Sequence, residues 1–217
     1  MENENLIQNT ITFVKLQLAN AEGGHDWFHI ERVYKNTLLL AKNENCNLLV
    51  CQLAALLHDI ADSKFNNGDE SIGPETARNF LEKENVSHEI IEHVIQIIEN
   101  ISFKGGNFEK KFNSTELQVV QDADRLDAIG AIGIARTFNY GGFKNRTIYN
   151  PEIKPNLTMS KEAYKKSEAP TINHFYEKLL LLKDKMNTKT GKKIAEERHL
   201  FMENFLEQFY SEWEGKK

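Results

Sequence analysis

Apolar residues recur at helical spacing along almost the whole chain, and this periodicity constrains the fold more than any other feature. Strand-type alternation of apolar and polar residues is nearly absent, and the 217 residues include only four prolines. Because residues three and four apart share one face of a helix, this spacing buries one side of each segment. The sequence therefore predicts an all-α fold of about eight or nine helices.

The length and composition fit one globular domain that covers residues 1–217. Hydrophobic residues make up 40% of the chain, which is enough for a sizeable core. Within this domain we expect a core over about residues 20–142, a long lid-like loop over about 141–170 and a C-terminal helical pair over about 171–213. The loop is expected to include one short helix near residues 161–166.

Capping and breaking residues divide the chain into separate helices. Thr115 to Gln118 has capping-box spacing and predicts the start of a long helix that reaches about Phe138. Gly130 and Gly133 lie inside this helix, where they could let another helix or a ligand approach closely. The other helices are predicted at about residues 6–18, 26–43, 48–61, 74–84, 87–101, 171–186 and 191–213, with Asp26 as the cap of the second.

Charge and targeting signals exclude several classes of protein. The net charge of −5 and the pI near 5.8 argue against a general nucleic-acid binder, which would carry a basic stripe. No run approaches 18 apolar residues, and the polar N-terminus lacks the features of a signal peptide. Cys46 and Cys51 are interpreted as small hydrophobic residues in a reducing compartment. We therefore expect a cytoplasmic protein with neither a nucleic-acid nor a membrane partner.

An apolar run from Leu48 to Leu57 leads directly into three ionisable residues. Such a run suits a helix that is buried on all sides. His58, Asp59 and Asp62 follow it, and burying even a neutral polar group without a partner costs roughly 2–7 kcal/mol. A bound metal ion could offset this cost, so the sequence predicts a metal site at the end of this helix.

Two further residues complete a set of metal ligands. His29 lies one turn into the second helix, and Asp124 lies inside the long helix with apolar positions on both sides. In order, His29, His58-Asp59 and Asp124 resemble the signature of the HD-domain metal-dependent phosphohydrolases. Residues 25–33 and 123–126 match the flanks of that signature. Residues 100–106 and 136–142 resemble the small bacterial single-domain branch, which includes nucleotide pyrophosphohydrolases.

The resemblance implies one divalent metal ion bound by His29, His58, Asp59 and Asp124. Two imidazoles and two carboxylates form a mixed nitrogen and oxygen shell that suits Mn²⁺, Fe²⁺, Co²⁺ or Ni²⁺. Zn²⁺ is also compatible, whereas Mg²⁺ would prefer more oxygen ligands and water. We take Mn²⁺ as the first choice.

Neighbouring residues compete for two of these positions. His25, four residues before His29, gives the spacing of a zinc-protease motif, but a protease would leave the other ligands without a task. Asp122 and Asp127 compete with Asp124. Asp127 lies three residues further on and could support a ligand or touch substrate.

Catalytic and phosphate-binding residues are expected around the metal. Asp59 is assigned to catalysis through the metal, and Asp62 is placed to orient or deprotonate the attacking water. Related HD enzymes often carry a Glu at the position of Asp62, and the shorter Asp could act through a bridging water. The candidates for binding phosphate are Arg32, Lys64, Lys104 and His93, with Arg146 in the lid-like loop, and each could equally be a solvated side chain. The candidates for base selection are Phe65, Phe103, Phe143 and Tyr149.

Together, the resemblance and the ligand chemistry predict a metal-dependent phosphohydrolase that acts on nucleotides. The expected reaction converts a (d)NTP to a (d)NMP and pyrophosphate through a metal-activated water. The alternatives are a 5′-nucleotidase that releases phosphate, a (p)ppGpp hydrolase, and a non-catalytic HD module that binds a ligand through its metal. The aromatic face of the last helix, at residues 201, 205, 209 and 213, could pack internally or against a second copy, which keeps a homodimer open.

Overall fold

Helices form all the regular structure in the described part of the chain, which comprises residues 2–19, 25–60, 71–101, 112–159 and 167–216 of a computed structural model. These residues contain nine α-helices and two 3-10 turns, so the all-α prediction is confirmed. The chain divides into two compact units, Met1–Asp124 and Arg125–Lys217. The assignment of residues 1–217 to a single domain stays a prediction.

The first unit contains the helices expected to bear the metal ligands. They are α1 (Glu2–Gln17), α2 (Trp27–Ala41), α3 (Leu48–Leu57), α4 (Ile72–Lys83), α5 (His88–Ile101) and α6 (Thr115–Asp127), the last of which runs just past the unit boundary. The second unit contains α7 (Gly130–Phe143), α8 (Asn173–Glu177), 3-10 turns at Leu179–Leu181 and Lys183–Lys185, and α9 (Lys189–Trp213). Among the described residues, every helix is too short or too polar to span a bilayer.

Helix α3 is the centre of the first unit. It packs against α1, α2 and α5, and seven of its ten residues are buried. Its sequence is apolar on every side, so neighbouring helices on several sides are needed to remove it from water. Each fully buried leucine contributes roughly 1.5–3 kcal/mol relative to an exposed one. The helix is therefore a rigid support for His58, which immediately follows it.

Side-chain caps set the starts of α2 and α3. The Asp26 carboxylate accepts a hydrogen bond from the His29 N–H at 3.0 Å, as the sequence predicted. Asn47 caps α3, and its side-chain oxygen accepts from the N–H groups of Leu49 and Val50. Such caps satisfy backbone donors that have no partner within the helix. In α2, the cap thus fixes the backbone at His29 itself.

The two cysteines flank the start of α3. Cys46 precedes the cap residue Asn47, and Cys51 lies in the first turn and is fully buried. These are the two positions of a hydrophobic staple, in which side chains before and after a helix cap pack together. Burial raises the pKa of both thiols, so they stay protonated at neutral pH. Both are free thiols, in keeping with their interpretation as small hydrophobic residues.

The prediction of a single long helix over residues 115–138 is wrong, because two helices, α6 and α7, occupy this part of the chain. At their junction Ala128 and Ile129 each donate a backbone N–H to the carbonyl three residues back, which tightens the chain. Gly130 then adopts a φ of +73°, in the region that favours glycine. Gly133 follows so close to the Ala128 carbonyl that a Cβ would lie 2.2 Å from its oxygen. Both glycines therefore serve the turn between two helices.

Two predicted helix ends also differ from the structure. Ser114 caps α6, because its hydroxyl oxygen accepts from the Leu117 N–H at 3.1 Å, and Thr115 is already helical. Helix α7 continues to Phe143 instead of ending near Phe138. The cap therefore lies one residue before the predicted Thr115, since serine caps a helix at least as well as threonine.

Two helices were predicted in the C-terminal region, and the structure has one of them, whereas the other is interrupted. Helix α9 matches the predicted 191–213 segment closely, but residues 171–186 form α8 and two 3-10 turns. The inner face of α9 is also displaced, because Phe201 is 53% exposed and Trp213 is 51% exposed, whereas Met202 and Leu206 are buried. Phe205 packs on Phe138 and Phe175, with ring centroids 5.9 and 5.8 Å away.

Part of the predicted lid-like loop is tied to the chain that follows it. The backbone N–H groups of Thr171 and Ile172 donate to the carbonyls of Thr147 and Ile148 at 2.9 and 3.0 Å. Residues 144–159 have no regular helix. The short helix predicted near residues 161–166 lies outside the described residues. A lid function for the loop stays a prediction.

Candidate metal centre

Three helices of the first unit bring the four predicted ligands together. His29 lies in the first turn of α2, and Asp124 lies in the last turn of α6. His58 is the C-terminal cap residue of α3, and Asp59 follows it. The sequence separates these residues by up to 95 positions, so only the packing of α2, α3 and α6 makes them neighbours.

The distances among these side chains suit a shared cation. His29 Nε2 lies 3.6 Å from Asp124 Oδ1 and 4.0 Å from Asp59 Oδ2. His58 Nε2 lies 3.8 Å from Asp124 Oδ1. One ligand atom each from His29, His58 and Asp59 falls within 4.8 Å of the others. Two ligand atoms that each lie about 2.1 Å from one metal are at most about 4.2 Å apart, so the three measured pairs fit.

Hydrogen bonding leaves the correct nitrogen of His58 free to bind a metal. His58 Nδ1 lies 2.9 Å from the Ala55 carbonyl oxygen, which can only accept, so Nδ1 carries the proton. The Nε2 lone pair then faces Asp124 and the ring of His29, whose centroid is 5.4 Å from that of His58. This backbone bond is the usual way in which proteins orient a histidine ligand. The donor set therefore fits a divalent cation.

Burial makes the centre closed on one side and open on the other. His29 is 2% exposed, whereas the side chain of Asp124 is 37% exposed. His58 and Asp59 are intermediate. A cation here would be held against the core by His29, while its Asp124 side would stay accessible to a substrate from solvent.

His25 contacts a predicted ligand directly, a role that the sequence did not assign to it. Its Nδ1 lies 2.5 Å from Asp59 Oδ2. Burial alone would raise the pKa of Asp59, but the hydrogen bond from His25 and the charges of His25, His58 and His29 outweigh it and lower the pKa to about 2. Asp59 is thus a carboxylate at any physiological pH. The useful signal was the position of His25 beside the α2 cap, one turn before His29.

Among the competing acidic residues, the geometry favours Asp124 as the ligand. Asp127 is buried and forms an ion pair with Arg136, whose Nη1 lies 2.6 Å from Asp127 Oδ2. Asp122 is fully buried. Arg125, which follows Asp124, donates a hydrogen bond to the Lys185 carbonyl.

The predicted phosphate-binding residues have different environments. Arg32 is partly buried in α2, one turn after His29. His93 contacts Ser114 and Glu116, with Nε2 3.0 Å from the hydroxyl and 3.3 Å from Glu116 Oε2. Arg146 lies in the second unit, where Nη2 donates to the Ser167 carbonyl at 2.5 Å. Asp62, Lys64, Lys104, Phe65 and Phe103 lie outside the described residues.

The two aromatic candidates for base selection that can be placed both lie in the second unit. Phe143 is largely exposed at the end of α7. Tyr149 packs edge-to-face on Phe209, Tyr210 and Trp213 of α9. Tyr149 therefore belongs to an aromatic cluster that stabilises the second unit, and its role in base selection stays a prediction.

Comparison with known proteins identifies the family. The HD domain family model matches residues 27–129. The uncharacterised protein YpgQ of Bacillus subtilis is 37% identical over 212 residues, which cover 94% of this chain and 92% of YpgQ. An HD-superfamily hydrolase from Bacillus thuringiensis has a crystal structure that is 46% identical, with 98% of each chain covered and a TM-score of 0.79. The crystal structure of Bacillus subtilis YpgQ in complex with ADP is 34% identical, covers 98% of this chain and 97% of that one, and has a TM-score of 0.77. The chain therefore belongs to the HD-domain superfamily of hydrolases.

Proposed function

We propose that this chain is a divalent-metal-dependent phosphohydrolase that cleaves a (d)NTP to the (d)NMP and pyrophosphate. The observation that carries the proposal is the cluster of His29, His58 and Asp59, together with Asp124 Oδ1, which lies 3.6 Å from His29 Nε2 and 3.8 Å from His58 Nε2. A nucleotide substrate is supported by the similarity to YpgQ, whose crystal structure contains ADP. The cytoplasmic location and a homodimeric state stay predictions.

The ligand set determines which metal we propose. His29 and His58 would each supply Nε2, and Asp59 and Asp124 would supply two negative charges that offset the charge of the cation. Such a mixed set favours Mn²⁺ or another first-row ion, because Mg²⁺ prefers a shell of oxygen atoms. When bound, a divalent cation lowers the pKa of water and polarises a phosphoryl oxygen.

The remaining steps fall to side chains around the cation. We assign Asp62, four residues after His58, to accept the proton of the attacking water. Arg32, Lys64 and Lys104 are assigned to hold phosphate oxygens, since phosphoryl transfer develops negative charge that cations stabilise. A phosphate contact of His93 stays a prediction. The partly exposed side of the centre, at Asp124, would admit the polyphosphate.

A substrate panel with product analysis tests this function. We expect the metal-free protein to gain activity on nucleoside triphosphates when Mn²⁺ is added, with pyrophosphate as the inorganic product. Release of phosphate from monophosphates would instead show a 5′-nucleotidase. Binding of nucleotides without turnover would show a ligand-binding module.

Variants test whether the centre is responsible for turnover. His58→Ala and Asp59→Ala should each lower kcat/KM by at least about 100-fold, because each removes a ligand. His88→Ala and Asp184→Ala are matched controls, since both side chains are largely exposed on other segments. Folded His58→Ala protein that turned over nucleotides at the wild-type rate would exclude this mechanism.

A further inference from the structure

Helices α3 and α6 both begin at one polar cluster, which we call the Glu116 cluster. It comprises Glu116, Asn47, Ser114 and His93. Glu116 Oε1 accepts a hydrogen bond from the Asn47 N–H at 2.8 Å, and His93 Nε2 lies 3.3 Å from Glu116 Oε2. His93 Nε2 also lies 3.0 Å from the Ser114 hydroxyl. Asn47 caps α3 and Ser114 caps α6, so one cluster joins the starts of two ligand-bearing helices.

Glu116 is the central residue of this cluster because it is buried and charged. It is only 9% exposed. Burial by itself would raise its pKa, but hydrogen bonds from the backbone of Asn47 and Glu116 and from Ser114, with the charge of His93, lower it. A buried carboxylate tolerates few positions, since losing a donor costs about 1–3 kcal/mol or more. Its hydrogen bonds therefore hold the two helix starts in one relative position.

The metal ligands lie at the other ends of the same helices. His58 is 11 residues after Asn47, and Asp124 is eight residues after Glu116. At a rise of 1.5 Å per residue, these segments span about 16 Å and about 12 Å. Both helices thus run from the Glu116 cluster to the metal centre, where His58 Nε2 and Asp124 Oδ1 lie 3.8 Å apart. An axial shift of α6 along α3 would change that distance directly.

A second hydrogen bond holds α6 against α2. Asn36 Nδ2 donates to the Ala123 carbonyl at 3.3 Å, immediately before Asp124. Asn36 lies two turns after His29 on the same face of α2. This bond restrains α6 near the centre, but it does not reach α3. The hydrogen bond between Glu116 and Asn47 joins α6 to α3 directly, at the starts of both helices.

We propose that Glu116 is a positioning residue for the metal centre. By joining the start of α6 to the start of α3, it sets the axial register of Asp124 relative to His58 and so the affinity for the metal. This inference rests on the proposed metal-dependent function. It predicts that Glu116, which lies at the starts of α3 and α6 and far from the metal ligands at their ends, has a measurable effect on metal binding.

Metal affinity in Glu116 variants tests the proposal. Glu116→Leu should weaken Mn²⁺ binding about tenfold by calorimetry on folded, metal-free protein, the lower end of the range for residues that support ligands. Glu116→Gln keeps an acceptor for the Asn47 N–H and should stay within about twofold of the wild type. Glu89→Leu, at an exposed site on α5, controls for the substitution itself. Unchanged Mn²⁺ affinity in folded Glu116→Leu would overturn the proposal.

Asn47 gives a matched pair that keeps Glu116 intact and also serves if Glu116→Leu does not fold. Asn47 has a φ of −73°, which proline can adopt. Asn47→Ala and Asn47→Pro both lose the side-chain cap, but only proline loses the N–H that Glu116 accepts. Asn47→Pro should therefore bind Mn²⁺ more weakly than Asn47→Ala, and equal affinities would overturn the proposal.

The wild type separates this inference from the proposed function. Failure of the wild type to bind any divalent cation would reject the metal-dependent function, and the positioning role with it. Wild-type binding together with unaltered binding in the variants would reject the positioning role alone. Weaker binding in Glu116→Leu and Asn47→Pro, with recovery in Glu116→Gln and Asn47→Ala, would support both.

Discussion

At the residue scale, the contact between His25 and Asp59 leads to a prediction about metal affinity. His25 holds one oxygen of Asp59 at 2.5 Å and so limits the rotation of this carboxylate. Partners that orient a ligand typically contribute 10- to 100-fold to metal affinity. His25→Ala should therefore raise the dissociation constant for Mn²⁺ about tenfold, measured by calorimetry. His88→Ala is the control, and an unchanged constant in His25→Ala would mean that Asp59 is oriented without it.

Single residues also show how far the sequence could predict the centre. The order and flanks of the four predicted ligands pointed to them, because the resemblance lies in these short motifs. The roles of His25 and His93 could not be read in this way. The bond from His25 to Asp59 spans 34 positions, and His93 meets Ser114 across 21 positions. Such contacts depend on how helices pack, and periodicity carries no information about them.

At the element scale, the junction between α6 and α7 gives a matched pair of glycine substitutions. Gly130 has a φ of +73°, and a Cβ there would lie 3.0 Å from Arg198 Cγ. Gly130→Ala should lower the free energy of unfolding by about 1–2 kcal/mol for the left-handed backbone, plus the cost of moving Arg198. Gly142 lies in the last turn of α7, where a Cβ would meet nothing within 4 Å.

Gly142→Ala should accordingly leave stability unchanged or raise it by about 0.4–1 kcal/mol, because it reduces the entropy of the unfolded chain. Urea denaturation of both variants measures the contrast. If Gly130→Ala were as stable as Gly142→Ala, the φ at position 130 would not be positive in solution.

Whole elements were predicted well where burial is strong and poorly where local geometry decides. The apolar run of α3 and the cap of α2 were readable, because hydrophobic pattern and capping chemistry both point to them. The break at residues 128–129 was not, because the apolar spacing continues through it and a single left-handed glycine leaves no periodic signal. The sequence did not predict the 3-10 turns after α8 for a related reason, since their side-chain spacing resembles that of an α-helix.

At the scale of the whole molecule, His174 should make stability depend on pH. Burial, with the charges of Lys178 and Arg146, lowers the pKa of His174 from 6.5 to about 3. Between these values the unfolded state binds a proton that the folded state does not. The free energy of unfolding should therefore fall as the pH drops below about 6.5, by up to about 1.4 kcal/mol per pH unit for this one proton.

The variant His174→Gln isolates this contribution. It cannot take up the proton, so its stability should change less between pH 8 and pH 4 than that of the wild type. His88→Gln is the control, because His88 is largely exposed. Denaturant titrations at several pH values measure the slopes, and equal slopes in wild type and His174→Gln would show that folding does not lower the pKa of His174.

Metal binding should also stabilise the folded protein as a whole, because a cation that binds only the native state shifts the unfolding equilibrium. At an Mn²⁺ concentration 100 times the dissociation constant, the stabilisation is about 2.7 kcal/mol. For a chain of this size, that corresponds to a rise in Tm of roughly 5–10 °C. Thermal unfolding of chelator-treated protein, with and without added Mn²⁺, measures the shift without any substrate.

The ligand variants make this shift specific to the proposed centre. His58→Ala and Asp124→Ala should lose most of the rise in Tm, whereas Asp184→Ala, an exposed acidic site, should keep it. The side chain of Asp124 is 37% exposed, so its removal leaves no buried cavity, and the metal-free variant should be about as stable as the wild type. Loss of the Mn²⁺ shift without loss of metal-free stability would therefore show that Asp124 serves the cation and not the fold. A full shift in both ligand variants would place the metal elsewhere in the chain.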